Sequence, residues 1–120
     1  MQVLTQHQLD IVMSAFIAEC EVLYGGKLDE VRLFGSYARG DCGDGSDIDI
    51  MVILDMSEDE IKKSLDSICR IASDLDIRYN TTMMPVLRSK KEYEFRKHSY
   101  GFCENVEKEG VSKYAGQARS

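Results

Sequence analysis

Two short segments hold residues whose types and spacing could do chemistry. They are Gly35-Ser36 and, after ten intervening residues, Asp47-Ile48-Asp49. Side chains at i and i+2 of a strand point to one face, about 7 Å apart at the backbone. Asp47 and Asp49 placed in this way converge on one volume. They can hold divalent cations about 4 Å apart, as two-metal phosphoryl transfer requires. Magnesium suits oxygen ligands and keeps coordination positions open for substrate phosphates. Gly35 permits close approach of a phosphate to the backbone, and Ser36 offers a hydroxyl and an N–H. If residues 36–39 begin a helical turn, their free N–H groups face that phosphate. Arg39 reads equally as a phosphate contact or as a tie to a loop carboxylate. A triphosphate needs donors on one side and metals on the other, and the two segments supply both.

The competing reading is a solvated acidic turn or a calcium loop. Asp41, Asp44, Asp47 and Asp49 fall within nine residues, and like charges so close repel unless cations or fixed donors offset them. The spacing is not that of an EF-hand loop, and no glutamate closes it. Asp41 and Asp44 read as loop solvation, and Tyr37 as packing.

The elements that must position these groups are legible in the pattern. Thr5 and Gln8 form a capping box. Behind it, Leu9, Val12, Met13, Phe16, Ile17, Cys20, Leu23 and Tyr24 mark a helix stopped by Gly25-Gly26. A short strand over 30–34 runs into Gly35. A second strand spans 47–54, with Ile48, Ile50, Val52 and Leu54 on one face and Asp47, Asp49, Met51 and Ile53 on the other. So apolar a strand belongs at the centre of its sheet. Ser57 and Glu60 open a second helix carrying Ile61, Leu65, Ile68, Cys69, Ala72 and Leu75. An extended stretch over 77–87 follows, and Pro85 puts that strand at an edge or near its end. Ser89 and Glu92 open a short helix, and residues 102–109 read as a last helix stopped by Gly110. The expected fold is α/β (α+β), a mixed sheet flanked by helices. Residues 1–114 make one domain and 115–120 a flexible tail, with 111–120 weakly structured at best.

Composition bounds the function. The chain has 120 residues, 43% apolar and 30% charged, one domain's worth of globular protein. Its net charge of −6 disfavours direct, sequence-independent nucleic-acid binding. The charge is uneven: residues 1–84 carry −9 and residues 85–120 carry +3. Cys20, Cys42, Cys69 and Cys103 show no zinc-ligand spacing and read as reduced thiols, with Cys20 and Cys69 in the core. No apolar run approaches the ~18 residues of a membrane span. The N-terminus does not begin a signal peptide, so a cytoplasmic location is expected. Tyr93, Phe95, Tyr100 and Phe102 alternate with charges and read as packing on the sheet or facing a protein partner. His98 reads as a surface histidine.

Gly35-Ser36-Tyr37-Ala38-Arg39-Gly40 followed by Ser46-Asp47-Ile48-Asp49-Ile50 resembles the signature of the minimal nucleotidyltransferases, in the DNA polymerase beta-like superfamily. The order of elements and the stretch Asn105-Val106-Glu107-Lys108-Glu109-Gly110 carry the resemblance along most of the chain. It implies two Mg²⁺ ions held by Asp47 and Asp49, which would be the catalytic pair. It implies ATP or another nucleoside triphosphate at Gly35, Ser36, Arg39 and Ser46, and transfer of a nucleoside monophosphate to a hydroxyl. Many such proteins pair with a helical HEPN protein. In toxin–antitoxin pairs they neutralise that toxin by adenylylating a tyrosine. A homo-oligomer stays open.

One departure stands out. The family's third carboxylate precedes a Pro-apolar segment on the next strand, and Met84-Pro85-Val86-Leu87 aligns that position with Asn80. Asparagine cannot accept the nucleophile's proton, and loss of a general base costs about 10² to 10⁴ in rate. Asp76 would substitute only through a shifted register or a bulge. The alternative function is therefore a weakened or inactive fold that masks a partner's surface. Modification of a small molecule ranks last, because the chain is short for an acceptor pocket.

Overall fold

The computed structural model describes residues 4–35, 37, 47–96 and 111–115, with backbone alone for Arg96 and for residues 111–115. Helix α1 (Gln6–Tyr24) opens on the Thr5–Gln8 capping box. The Gln8 N–H donates to Thr5 Oγ1 at 3.1 Å and the Thr5 N–H to Gln8 Oε1 at 2.9 Å. Gly25 ends it, and a 3₁₀ turn (Gly25–Lys27) leads into β1 (Leu28–Phe34). Strand β2 (Ile48–Leu54) is the next described strand.

Helix α2 (Glu58–Tyr79) starts on the Ser57–Glu60 box, with Glu58, Asp59 and Glu60 in its first turn. Acids there complement the positive end of the helix dipole. Then come β3 (Met83–Ser89), α3 (Lys90–Arg96) and β4 (Val111–Ala115). The Glu92 N–H donates to Ser89 Oγ at 3.1 Å, as the third capping pattern predicts.

The sheet runs β3-β2-β1-β4. β2 is antiparallel to β1 and parallel to β3, and β4 is antiparallel to β1. This is the mixed sheet flanked by helices that the pattern predicts, with β2 central and Pro85 on an edge strand. The two faces of β2 divide the core. Ile48, Ile50, Val52 and Leu54 join Val31 and Leu33 beneath α1 and α2. Met51 and Ile53 meet Phe34 and the buried Tyr93 of α3 on the other side. Each large apolar side chain so buried contributes about 1.5–3 kcal/mol. No helix among the described residues is long and apolar enough to cross a membrane.

Three expectations are corrected. The stretch 77–87 is not extended throughout. The helix continues to Tyr79, because Leu75 and Tyr79 prolong the stripe begun at Ile61 and nothing breaks it before Asn80. Asn80 then takes the left-handed conformation (φ 55°, ψ 53°) that ends the helix. Cys69 is exposed, not core, and Leu65 is 44% exposed, since the buried stripe runs through Ile61, Ile68, Ala72 and Leu75. Residues 111–115 are not a loose tail: they form β4, whose backbone pairs with β1. The expected helix over 102–109 and the residues after 115 lie outside the described residues.

Candidate active site

The site begins where β1 ends. Phe34 sits opposite Asp49 across the antiparallel pair. Gly35 then turns to φ 74°, in the left-handed region, where an L side chain costs about 1–2 kcal/mol. A second constraint acts on the same residue. A Cβ on Gly35 would overlap Asp49 Oδ2 and stand 3.1 Å from Asp49 Cγ and 3.2 Å from its Cβ. The carboxylate therefore lies against bare backbone, in the space a side chain would fill.

Asp49 is half-buried and Asp47 exposed. Ile48 between them is locked in the core, and its N–H donates to Thr82 O at 2.8 Å. Strand alternation puts both aspartates on the face opposite Ile48. Asp49 lies in β2 beside the Gly35 backbone, and Asp47 immediately precedes the strand; two such hard oxygen donors would suit a magnesium ion that keeps positions open for phosphates. Among the described residues, no group of three or more His, Cys, Asp and Glu side chains gathers at one point.

Ser36, Arg39 and Ser46 lie outside the described residues, as do Asp41, Asp44, Cys42 and His98. Tyr37 packs against the core, and its hydroxyl accepts from the Leu4 N–H at 3.3 Å.

The third-carboxylate position looks different in three dimensions. Asn80 is the exposed cap of α2, outside β3. Asp76 sits in the last turn of α2. Its Oδ1 accepts from Thr81 Oγ1 at 2.8 Å and from the Met83 N–H at 2.9 Å. That carboxylate closes the α2–β3 turn. In the register, the β3 neighbour of Asp49 is Met84. β3 reads Met83-Met84-Pro85-Val86-Leu87-Arg88-Ser89 and holds no carboxylate.

Sequence reasoning missed one feature of this face. Glu30 and Arg32 alternate with Phe34 along β1, and Arg32 Nη1 donates to Glu30 Oε2 at 2.6 Å, both side chains nearly buried. Buried Asp29 pairs with Lys90 Nζ at 3.4 Å. The period of two from Glu30 to Phe34 was the available signal. It puts the charged residues on the Asp49 face, where burial is sustained only by pairing.

A family model described as a nucleotidyltransferase domain matches residues 13–111. The chain belongs to that family. Two presumed protein adenylyltransferases of Methanocaldococcus jannaschii are similar to this nucleotidyltransferase domain. One is 33% identical over 79 residues, 66% of this chain and 78% of the relative. The other is 30% identical over 99 residues, 82% of this chain and 91% of the relative. A crystal structure of a toxin–antitoxin with AMP-PNP superposes with a TM-score of 0.56 at 24% identity, covering 87% of this chain and 74% of that one. At that identity the likeness establishes the nucleotidyltransferase fold.

Proposed function

We propose that this nucleotidyltransferase domain binds a nucleoside triphosphate, ATP foremost, with Mg²⁺, and transfers the nucleoside monophosphate to a protein hydroxyl. The acceptor would be a tyrosine of a HEPN-type partner in an antitoxin-like pairing. The observation that carries this reading is the contact of Gly35 with Asp49. It sets half-buried glycine backbone beside a carboxylate, and in this reading a phosphate joined to that carboxylate through a metal ion would approach both. The names of the adenylyltransferase relatives and the AMP-PNP of the structural neighbour support it.

In this reading Asp47 and Asp49 hold two Mg²⁺ ions, and Gly35, Ser36, Arg39 and Ser46 hold the triphosphate. Bound there, magnesium would neutralise the charge developing on the phosphate oxygens. The acceptor oxygen bonds to the α-phosphorus as the bond to the β-phosphate oxygen breaks. Pyrophosphate leaves, and the hydroxyl proton passes to solvent.

The test is label transfer from α-labelled ATP with Mg²⁺, in a lysate of the source cells, comparing wild type with Asp49→Asn. A labelled protein that requires Asp49 and gains one AMP in mass is expected. No label, together with no Mg–ATP binding that the Asp47→Asn, Asp49→Asn pair removes, would overturn the proposal.

A second reading is favoured by β3, which offers no carboxylate beside Asp49. In it the fold masks a partner without transferring anything. Partner inhibition that needs no ATP and survives both Asp→Asn changes would select masking. Label appearing only with Met84→Asp would mark a disabled transferase.

A further inference from the structure

Helix α1 carries two apolar stripes. Leu9, Val12, Met13, Phe16 and Cys20 are buried against the sheet. Ile11, Ala15, Ala18 and Val22 recur at spacings of four, three and four along the same helix, with Ala15 partly buried against the core and the other three exposed. At 100° per residue this second stripe lies opposite the first. Ile11 is 42% exposed and Val22 86% exposed. The spacing is that of alternating d and a positions in a heptad, which presents a seam to another helix. The two alanines at its centre allow close approach of a backbone. The seam is about 17 Å long, three turns of helix.

Its charge is one-sided. α1 contains no Lys or Arg. Glu19 flanks the stripe on one side and Glu21 and Asp10 on the other, all exposed. The seam also ends in a cavity. Ile11 lines a pocket of about 140 Å³ together with Leu4, Gln8, Tyr79 and Thr81. An amphipathic helix docks through apolar anchors at i, i+3, i+4 and i+7, and this pocket offers a seat for one of them.

We infer that the outer face of α1 docks an amphipathic helix of a protein partner whose seam is flanked by Lys or Arg, with one apolar side chain seated in the Ile11–Tyr79 pocket. A second copy of α1 is disfavoured, because it would set Glu19 and Glu21 against acids. Docking here occupies the side of the sheet opposite Asp49, so it leaves Gly35 and Asp49 open. The inference stands apart from the nucleotide chemistry: loss of the transfer activity would not touch it.

The probe is a synthetic helical peptide with Leu at a and d and Lys at e and g, matched by one with Glu at e and g. Binding is followed by amide shifts of the isotope-labelled full chain. Shifts on α1 centred on Ala18 with the Lys peptide are expected, and none with the Glu peptide. Ala18→Arg should weaken binding by about tenfold or more. Ser73→Arg, adding the same charge on the exposed face of α2, should change it little. Thermal melts verify that both variants fold. Equal binding of the two peptides, equal effects of the two Arg variants, or shifts away from α1 would overturn the inference. So would concentration-dependent dimers that Ala18→Arg abolishes, which would give the face to a second copy.

Discussion

Gly35 and Asp49 share one volume: the carboxylate of Asp49 stands where any side chain at position 35 would begin. Position 35 is therefore held to glycine by a neighbour as well as by its own φ of 74°. Gly35→Ala should cost about 1–2 kcal/mol from backbone conformation. It should also push Asp49 aside, so Mg–ATP binding should fall by far more than stability does. Calorimetric titration beside a denaturant melt separates the two. Unchanged nucleotide affinity in a folded Gly35→Ala chain would dissociate this glycine from the site.

Asp76 is a structural carboxylate. Asp76→Ala strips Thr81 Oγ1 and the Met83 N–H of their acceptor. The loss should be about 1.5–3 kcal/mol, with label transfer per folded molecule unchanged. A collapse of transfer with the melt unaltered would instead make Asp76 part of the chemistry.

The Glu30–Arg32 pair is nearly buried. Removing one partner breaks this nearly buried ion pair, at a cost of about 3–5 kcal/mol. Arg32→Leu alone should therefore lower the denaturation midpoint steeply. The double change Glu30→Leu, Arg32→Leu should recover much of it. A double variant as unstable as the single would assign the loss to packing.

Alkaline pH should weaken the fold through Cys20. Burial first, and Glu19 second, push its thiol from 9.0 up to about 12. Between those values the unfolded chain has lost a proton that the folded chain keeps, so stability falls as pH rises, by up to about 1.4 kcal/mol per pH unit. Burial also raises the Tyr24 phenol, which acts in the same direction from 10.0 upward. Denaturation midpoints across this range should decline, and Cys20→Ala should flatten the decline. An identical slope in Cys20→Ala would remove the thiol from this account.

The two capping boxes, the Ser89 cap of α3 and the two faces of β2 were legible because each depends on a local period or a residue three positions away. The end of α2 was not. Ile77 and Tyr79 suit a strand as well as a helix, and only the packing of Leu75 and Tyr79 on the core decides between them. That shift of a few residues took Asn80 off the strand and brought Met84 beside Asp49. β4 was hidden for a related reason: its order comes from pairing with β1, about 80 residues earlier in the chain. Cys69 looked buried because its neighbour Ile68 is, and one residue along a helix turns about 100°.

That late pairing has a consequence during synthesis. β1 is among the first elements to leave the ribosome, yet the strand that covers its outer edge is the last of the described elements to emerge. In between, the edge along Val31-Arg32-Leu33 displays unpaired backbone groups between apolar side chains, a template for pairing with another chain. Translation that stalls before Val111 would release molecules with this edge open, and prompt completion of the chain closes it against pairing with another chain.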